Sequence, residues 1–313
     1  MGDLKAAVIG AGTMGHGIAQ VFAQAGYDVK LFDISEEALK GALTRIEANL
    51  AFFVESGVLT TEESEDALSR IEPSLDLEDA VGNVEFVTEA VPEEMELKQK
   101  VFRRLDANTP SHAILASNTS GLSITEIARR AERPERVIGT NWWNPPHITP
   151  LVEMMRGEKT SDETVQRTRE TLGGIGKKPI LILKPIQGFV GNRLQIALLR
   201  EALSLLENGV ASAEDIDTAA SYGPGFRYPI LGPFKTADFG GLDIFYHLTR
   251  DLYKELDCSK EPQRVLARLV EGGRLGFKTG EGFYTYRDKD PEELLRERDR
   301  RLLEILRTTL KES

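Results

Sequence analysis

Short apolar runs alternate with helical stretches through the first 184 residues. "KAAVIG", "DVKLFD", "VEFVTEAV", "AILASNT", "RVIGTNW", "LVEMM" and "PILILK" read as strands. The intervening polar-apolar periodicity reads as helices, the pattern of a parallel sheet covered by helices. "TMGHGIAQVFAQAG" predicts the helix between the first two strands, with Gly26 near its C-terminal end. Ser123 to Glu126, "SITE", has the form of a capping box and predicts another helix start.

After Lys184 the strands stop. "GNRLQIALLREALSLLENG" predicts a long amphipathic helix, and "SAEDIDTAASYG", "KTADFGGLDIFYHLTRDLYKEL" and "PQRVLARLVEGG" follow with the same period. Residues 291–312 open on Pro291, suited to a first helical turn, and carry Leu295, Leu302, Leu303, Leu306 and Leu310 among many charges. That stripe predicts a helix packed on its own body or on a partner copy. The expected division is therefore an α/β domain over 1–184 and an all-helical domain over 185–313.

Composition narrows the function classes. The 313 residues are 41% hydrophobic and 28% charged, an ordinary globular balance for about two domains. A net charge of −11 without a basic run argues against nucleic acid. No apolar run is long enough to span a membrane, and the first strand begins so early that no signal peptide is expected. Cys258 stands alone, and His16, His112, His147 and His247 have no metal-ligand spacing. A reduced, cytoplasmic enzyme or binding protein acting on a small molecule fits these bounds.

The chemistry starts at "GAGTMG", which places Gly10, Gly12, Thr13, Met14 and Gly15 between the first strand and its helix. A lone G-x-G-x-x-G is a weak signal, because glycines often only make turns. Here Asp33 answers it at the end of the next strand, at the spacing of a ribose-binding acid. Gly10 permits the tight turn, Gly12 lets a pyrophosphate approach the backbone, and Gly15 lets helix and sheet close up. A carboxylate at Asp33 repels a 2′-phosphate, and Ile34 and Ser35 offer no cation to hold one. The reading is NAD rather than NADP.

Further along, "EAVPEEMELKQKVF", "SNTSGLSITEIA", "NWWNPPHITPLVE", "GFVGNR", "DIDTA", "GPF" and "KTGEGFY" complete a series. Together with the glycine fingerprint, this series resembles the L-3-hydroxyacyl-CoA dehydrogenase family over nearly the whole chain. The resemblance implies a Rossmann-like NAD domain followed by an all-α dimerisation domain, hence a homodimer. It implies that Ser120 hydrogen-bonds the substrate hydroxyl, that Glu153 orients the catalytic group, and that Asn192 lies near the reacting centre. It also implies cofactor contacts for Glu93, Lys98, Asn144 and Lys278.

Two departures matter. Asn141 stands where the family has its catalytic histidine, and a carboxamide cannot take up a proton near neutral pH. General acid–base catalysis of that kind contributes roughly 10²–10⁴-fold. His147 and Glu153 are candidates for that role rather than replacements, and His147 reads better as a hydrogen-bonded loop histidine. The second departure is Ile46 to Ser69, which contains six carboxylates and no Lys or Arg where the family holds CoA phosphates with lysines. In this the chain resembles the family's non-CoA branches, such as carnitine and gulonate dehydrogenases.

Three functions follow as expectations. The first is NAD-dependent hydride transfer to or from a small 3-hydroxy or 3-keto substrate, with Arg227 available for a substrate carboxylate. The second is reduction of a cationic imine, which needs no base and suits the neighbouring Trp142 and Trp143. The third is a protein without turnover, either a cofactor-binding protein with a structural role or a family enzyme disabled by a histidine-to-asparagine substitution.

Overall fold

The computed structural model describes residues 4–288 and 290–310. Its chain divides into two compact units, residues 1–190 and 191–313, six residues beyond the expected boundary at 184. The first unit holds an eight-stranded sheet. Its strands are β1 (Lys5–Ile9), β2 (Asp28–Phe32), β3 (Ile71–Ser74), β4 (Phe86–Glu89), β5 (Ile114–Ser117), β6 (Val137–Trp142), β7 (Leu151–Arg156) and β8 (Lys178–Ile182). The order across the sheet is β3-β2-β1-β4-β5-β6-β7-β8. Six of the seven neighbouring pairs are parallel; β6 and β7 alone run antiparallel.

Helices α1 (Gly15–Gln24), α2 (Glu36–Glu55), α3 (Thr61–Ser69), α4 (Leu77–Val81), α5 (Met95–Asn108), α6 (Ile124–Ile127) and α7 (Asp162–Gly174) cover the sheet. Alternation along β1 shows why both faces are dry. Ala6 and Val8 join Phe22 of α1 in one buried cluster, while Ala7 and Ile9 join Phe102 of α5 in the other. Strand order reverses between β1 and β4, so the crevice at their carboxyl ends is where an open α/β sheet takes its ligand.

The second unit is helical: α8 (Gly191–Glu207), α9 (Ala213–Tyr222), α10 (Pro224–Arg227), α11 (Pro233–Gly240), α12 (Leu242–Leu252), α13 (Arg264–Glu271) and α14 (Pro291–Leu310). The segment expected as one helix from Lys235 breaks at Gly241, whose φ of 93° only glycine adopts freely. On α14, Leu303 is buried, Leu295 and Leu302 stay partly exposed, and the side chain of Leu310 lies outside the described set. Among the described residues no helix is long and apolar enough to cross a membrane, and no acidic, His or Cys cluster suits a metal.

Two features escaped the sequence pattern. β3, "IEPS", is a four-residue edge strand whose Pro73 and exposed Glu72 mask any apolar alternation. The reversal at β7 leaves no periodic trace either, because direction is set by the connection and not by the strand's own residues.

Candidate active site

A cavity of about 990 Å³ opens at the switch point between β1 and β4. Gly10, with φ 106°, forms its floor, and a Cβ there would come within 2.7 Å of the Ala90 carbonyl oxygen. A Cβ on Gly15 would collide with the Gly10 carbonyl, which is why α1 can approach β1 so closely. Gly12 is different. Nothing stands within 4 Å of where its Cβ would project, and Gly12, Thr13 and Met14 all face the cavity ahead of the α1 N-terminus.

Asp33 also lines the cavity, as the fingerprint predicts. Its Oδ2 accepts from Ala11 N–H at 2.8 Å and its Oδ1 from Ser35 N–H at 3.0 Å, so loop and carboxylate fix each other. Ser35, not Asp33, caps α2, accepting from Ala38 N–H. This arrangement fits a dinucleotide: free backbone N–H groups for the pyrophosphate, open space over Gly12, and a fixed acid for the ribose. Substituting Gly12 by valine should therefore leave the unfolding free energy, from urea titration, within about 0.5 kcal/mol of the parent. The same change should weaken NADH binding, followed by fluorescence titration, at least about tenfold (1.4 kcal/mol). Unchanged affinity would remove Gly12 from the pyrophosphate site.

The other end of the cavity is built by the ends of β5 and β6. Ser120, Asn118, Asn141, Trp142 and Asn144 line it, Asn118 Oδ1 accepting from Trp142 N–H at 3.0 Å. Asn141 and Glu153 are direct partners across the antiparallel β6–β7 pair. Asn141 Nδ2 donates to Glu153 Oε2 at 2.9 Å, Trp143 Nε1 donates to the same oxygen at 3.2 Å, and Val190 N–H donates to Oε1 at 2.9 Å. Glu153 is fully buried and does not line the cavity. Since Nδ2 must face the carboxylate, Asn141 Oδ1 is the carboxamide's acceptor left for the cavity.

Neither expected substitute base is in place. Glu153 is held by three donors behind Asn141, which makes it an orienting group. His147 is not among the lining residues; its ring packs 5.9 Å from Phe53 and 6.3 Å from His16 against α1. His16 donates through Nδ1 to the Gly12 carbonyl at 3.0 Å, and burial pushes its pKa down. It supports the glycine loop and stays neutral.

Glu93 lines the cavity beside Ser120. Its Oε1 accepts from Thr119 Oγ1 at 2.5 Å, Ser120 N–H at 2.9 Å and Gly121 N–H at 3.2 Å, and Ser120 Oγ lies 3.4 Å away. Burial alone would raise its carboxyl, but the Thr119 hydroxyl, Lys98 and the Ser120 N–H outweigh that and hold it below the ordinary glutamate range. Glu93 is thus a standing anion that shapes the Ser120 turn. Lys98 is not a solvated helix face. It is wholly buried, 2.6 Å from Glu89 Oε1 and 3.4 Å from Glu93 Oε2, and lies behind the cavity wall.

The remaining expected residues belong to the helical unit. Asn192 is in the first turn of α8, Arg227 is exposed at the end of α10, and Lys278 is exposed in a short 3-10 turn, Phe277–Thr279. The cavity's own lining comes entirely from the first unit. Sequence reading missed Asn118, although it stands inside the quoted "SNTS". It also missed Lys100 and Arg104, which line the same cavity one turn apart on α5 and would have been legible from the i, i+4 spacing.

Residues 5–186 match the NAD-binding domain of 3-hydroxyacyl-CoA dehydrogenases, and residues 188–286 match the C-terminal domain of the same enzymes. The chain belongs to the 3-hydroxyacyl-CoA dehydrogenase family. As in that family, it is an NAD-dependent oxidoreductase with a Rossmann-like domain followed by a helical one. Among its relatives is 5-formyl-3-hydroxy-2-methylpyridine 4-carboxylate 5-dehydrogenase of Mesorhizobium japonicum, 34% identical over 301 residues and covering 96% of each chain. A crystal structure of such a dehydrogenase, described as an NAD+-dependent dismutase, matches with a TM-score of 0.87, 34% identity and 98% of each chain covered. The 3-hydroxybutyryl-CoA dehydrogenase of Bradyrhizobium diazoefficiens is 40% identical over 288 residues, covering 92% of this chain and 97% of that one.

Proposed function

We propose that this family member works on a small substrate that is not a CoA thioester, interconverting a carbonyl and an alcohol. A bound nicotinamide supplies or accepts the hydride; the chain's own residues hold the substrate oxygen. The observation that carries the reading is the Asn141 carboxamide, clamped by Glu153 through Nδ2 with Oδ1 left to the cavity beside Ser120. Ser120 Oγ then hydrogen-bonds the substrate oxygen, and Asn141 Oδ1 accepts from it in the alcohol form. Gly10, Gly12, Thr13, Met14, Gly15, Asp33, Glu93 and Asn144 hold the cofactor, and Lys98 braces Glu93.

Two facts support a non-CoA substrate. The six carboxylates of the α2–α3 hairpin (Glu47, Glu55, Glu62, Glu63, Glu65 and Asp66) are all solvent-exposed and would repel CoA phosphates. The Mesorhizobium relative is named for a substituted pyridine aldehyde, not a thioester. A homodimer through the helical unit, working in the cytoplasm, completes the reading. That unit leaves Leu194, Ile196, Phe226, Phe234 and Phe239 exposed, more apolar surface than a lone domain usually shows water.

A second reading has its own support. The Ser120 end of the cavity presents the Glu93 anion and the Asn141 acceptor and no histidine, which suits a cationic imine. Hydride delivered to an iminium carbon gives a neutral amine with no proton transferred at that step.

The test is NADH oxidation with a small 3-keto acid, acetoacetyl-CoA and a cyclic imine, alongside NADH binding. Turnover of the keto acid with little on the thioester is expected. Preference for acetoacetyl-CoA would overturn the non-CoA assignment, and turnover of the imine alone would replace the first reading by the second. Tight NADH binding without turnover on any of the three would make the chain a cofactor-binding protein.

A further inference from the structure

Lys177 has no part in the chemistry described above, yet its side chain is buried under the site. Helix α7 ends in "GGIGKK", where Gly176 takes φ 80° and Lys177 N–H closes onto the Leu172 carbonyl at 2.9 Å. This C-terminal turn sends the Lys177 side chain inward beneath β6. Its Nζ donates to the Pro146 carbonyl at 2.6 Å and the Thr149 carbonyl at 3.0 Å, and lies 5.3 Å from the centroid of the Trp142 ring. The same ring packs on Phe22, 6.2 Å between centroids. Among the described residues no carboxylate pairs with Lys177. Burial accordingly pushes its pKa down to about 7.

These contacts grip the ends of one short segment. Trp142 closes β6, and Pro146 and Thr149 carry the return toward β7. Between them lie Trp143, which bonds Glu153, and Asn144, which faces the cavity. We infer that Lys177 is a positioning residue for the nicotinamide end of the cofactor site, its ammonium holding Trp142 and the Trp143–Thr149 segment so that Asn144 faces the dinucleotide. A buried lysine is costly to keep near a ring and two carbonyls unless those contacts are needed in place. The inference rests on cofactor binding alone and not on which substrate is reduced.

The chain's two tryptophans, Trp142 and Trp143, are both at this spot, so intrinsic emission reports on it directly. In the full-length protein, emission followed from pH 6.5 to 9 should change in a step near 7. Saturating NADH should move that midpoint upward, because cofactor and ammonium favour the same segment geometry and linkage is reciprocal. Lys177→Met, which keeps the length but removes the donors, should abolish the step and raise the NADH Kd at least about tenfold, equivalent to 1.4 kcal/mol. The other titratable groups near the segment are His147 on it, His16 on α1, held below its ordinary range by burial, and Glu153 on β7, which accepts from Trp143 Nε1. The step must therefore survive in His147→Gln. A midpoint indifferent to NADH, or a step lost with His147, overturns the inference, and these arms decide even where Lys177→Met does not fold.

Discussion

Asn141→His should raise turnover of a small 3-keto or 3-hydroxy acid by about 10²–10⁴-fold, the usual contribution of a positioned general acid–base. The setting for an imidazole already exists. Glu153 Oε2 accepts from the residue 141 side chain at 2.9 Å, and the two residues are direct partners across β6 and β7. An imidazole there would donate its Nδ1–H to Glu153 and turn Nε2 toward the cavity, where Asn141 now offers an acceptor that cannot bind a proton. The variant's rate should also acquire a pH dependence with an inflection in the histidine range, measured as kcat/KM for alcohol oxidation from pH 5 to 9. A rate within threefold of the parent, with no new inflection, would mean that Asn141 is not what limits proton transfer here. Reduction of a cyclic imine gives the opposing readout. If the native site is built for a cation, placing an imidazole against Glu153 should depress that activity while the keto acid rate climbs.

The second large effect is on stability. Lys98 and Glu89 are both wholly buried, 2.6 Å apart, and Glu89 Oε2 also accepts from Ser117 Oγ at 2.6 Å. Burial drives the Glu89 carboxyl upward against the pull of Lys98, Ser117 and the Val91 N–H. Lys98→Met leaves that carboxylate without its counter-ion in the sheet interior, and should cost about 3–5 kcal/mol in urea unfolding. Lys98→Met with Glu89→Gln should recover a large part of the loss, because the uncompensated charge has gone. A single variant within about 1 kcal/mol of the parent would show that Glu89 simply takes up a proton when its partner leaves.

Much of the first unit is readable from its residues. Seven of the eight strands announce themselves as apolar runs, and "GAGTMG" with Asp33 marks the dinucleotide crevice because steric demands at Gly10 and Gly15 allow almost nothing else. The site is only partly readable. Asn141, Ser120 and Glu93 fall on one cavity as their motifs imply, whereas Lys98 proves to be a buried brace. Helical spacing cannot tell a lysine facing a ligand from one aimed at an acid nine residues back. The sequence offered His147 and Glu153 as candidate bases without placing either; the antiparallel register puts Glu153 behind Asn141, and His147 packs toward α1. Lys177 was invisible for a related reason. A lysine ahead of a strand reads as surface, and its burial depends on carbonyls 28 and 31 residues away.

The retained Glu153 cradle also bears on how this protein changes over generations. Codons for asparagine and histidine differ at a single base, so the proton-transfer group can be gained or lost in one mutational step, with its hydrogen-bond partner waiting on the adjacent strand in either case. On this scaffold one base change therefore exchanges a side chain that can bind a proton for one that cannot, at a position where Glu153 stands as hydrogen-bond partner.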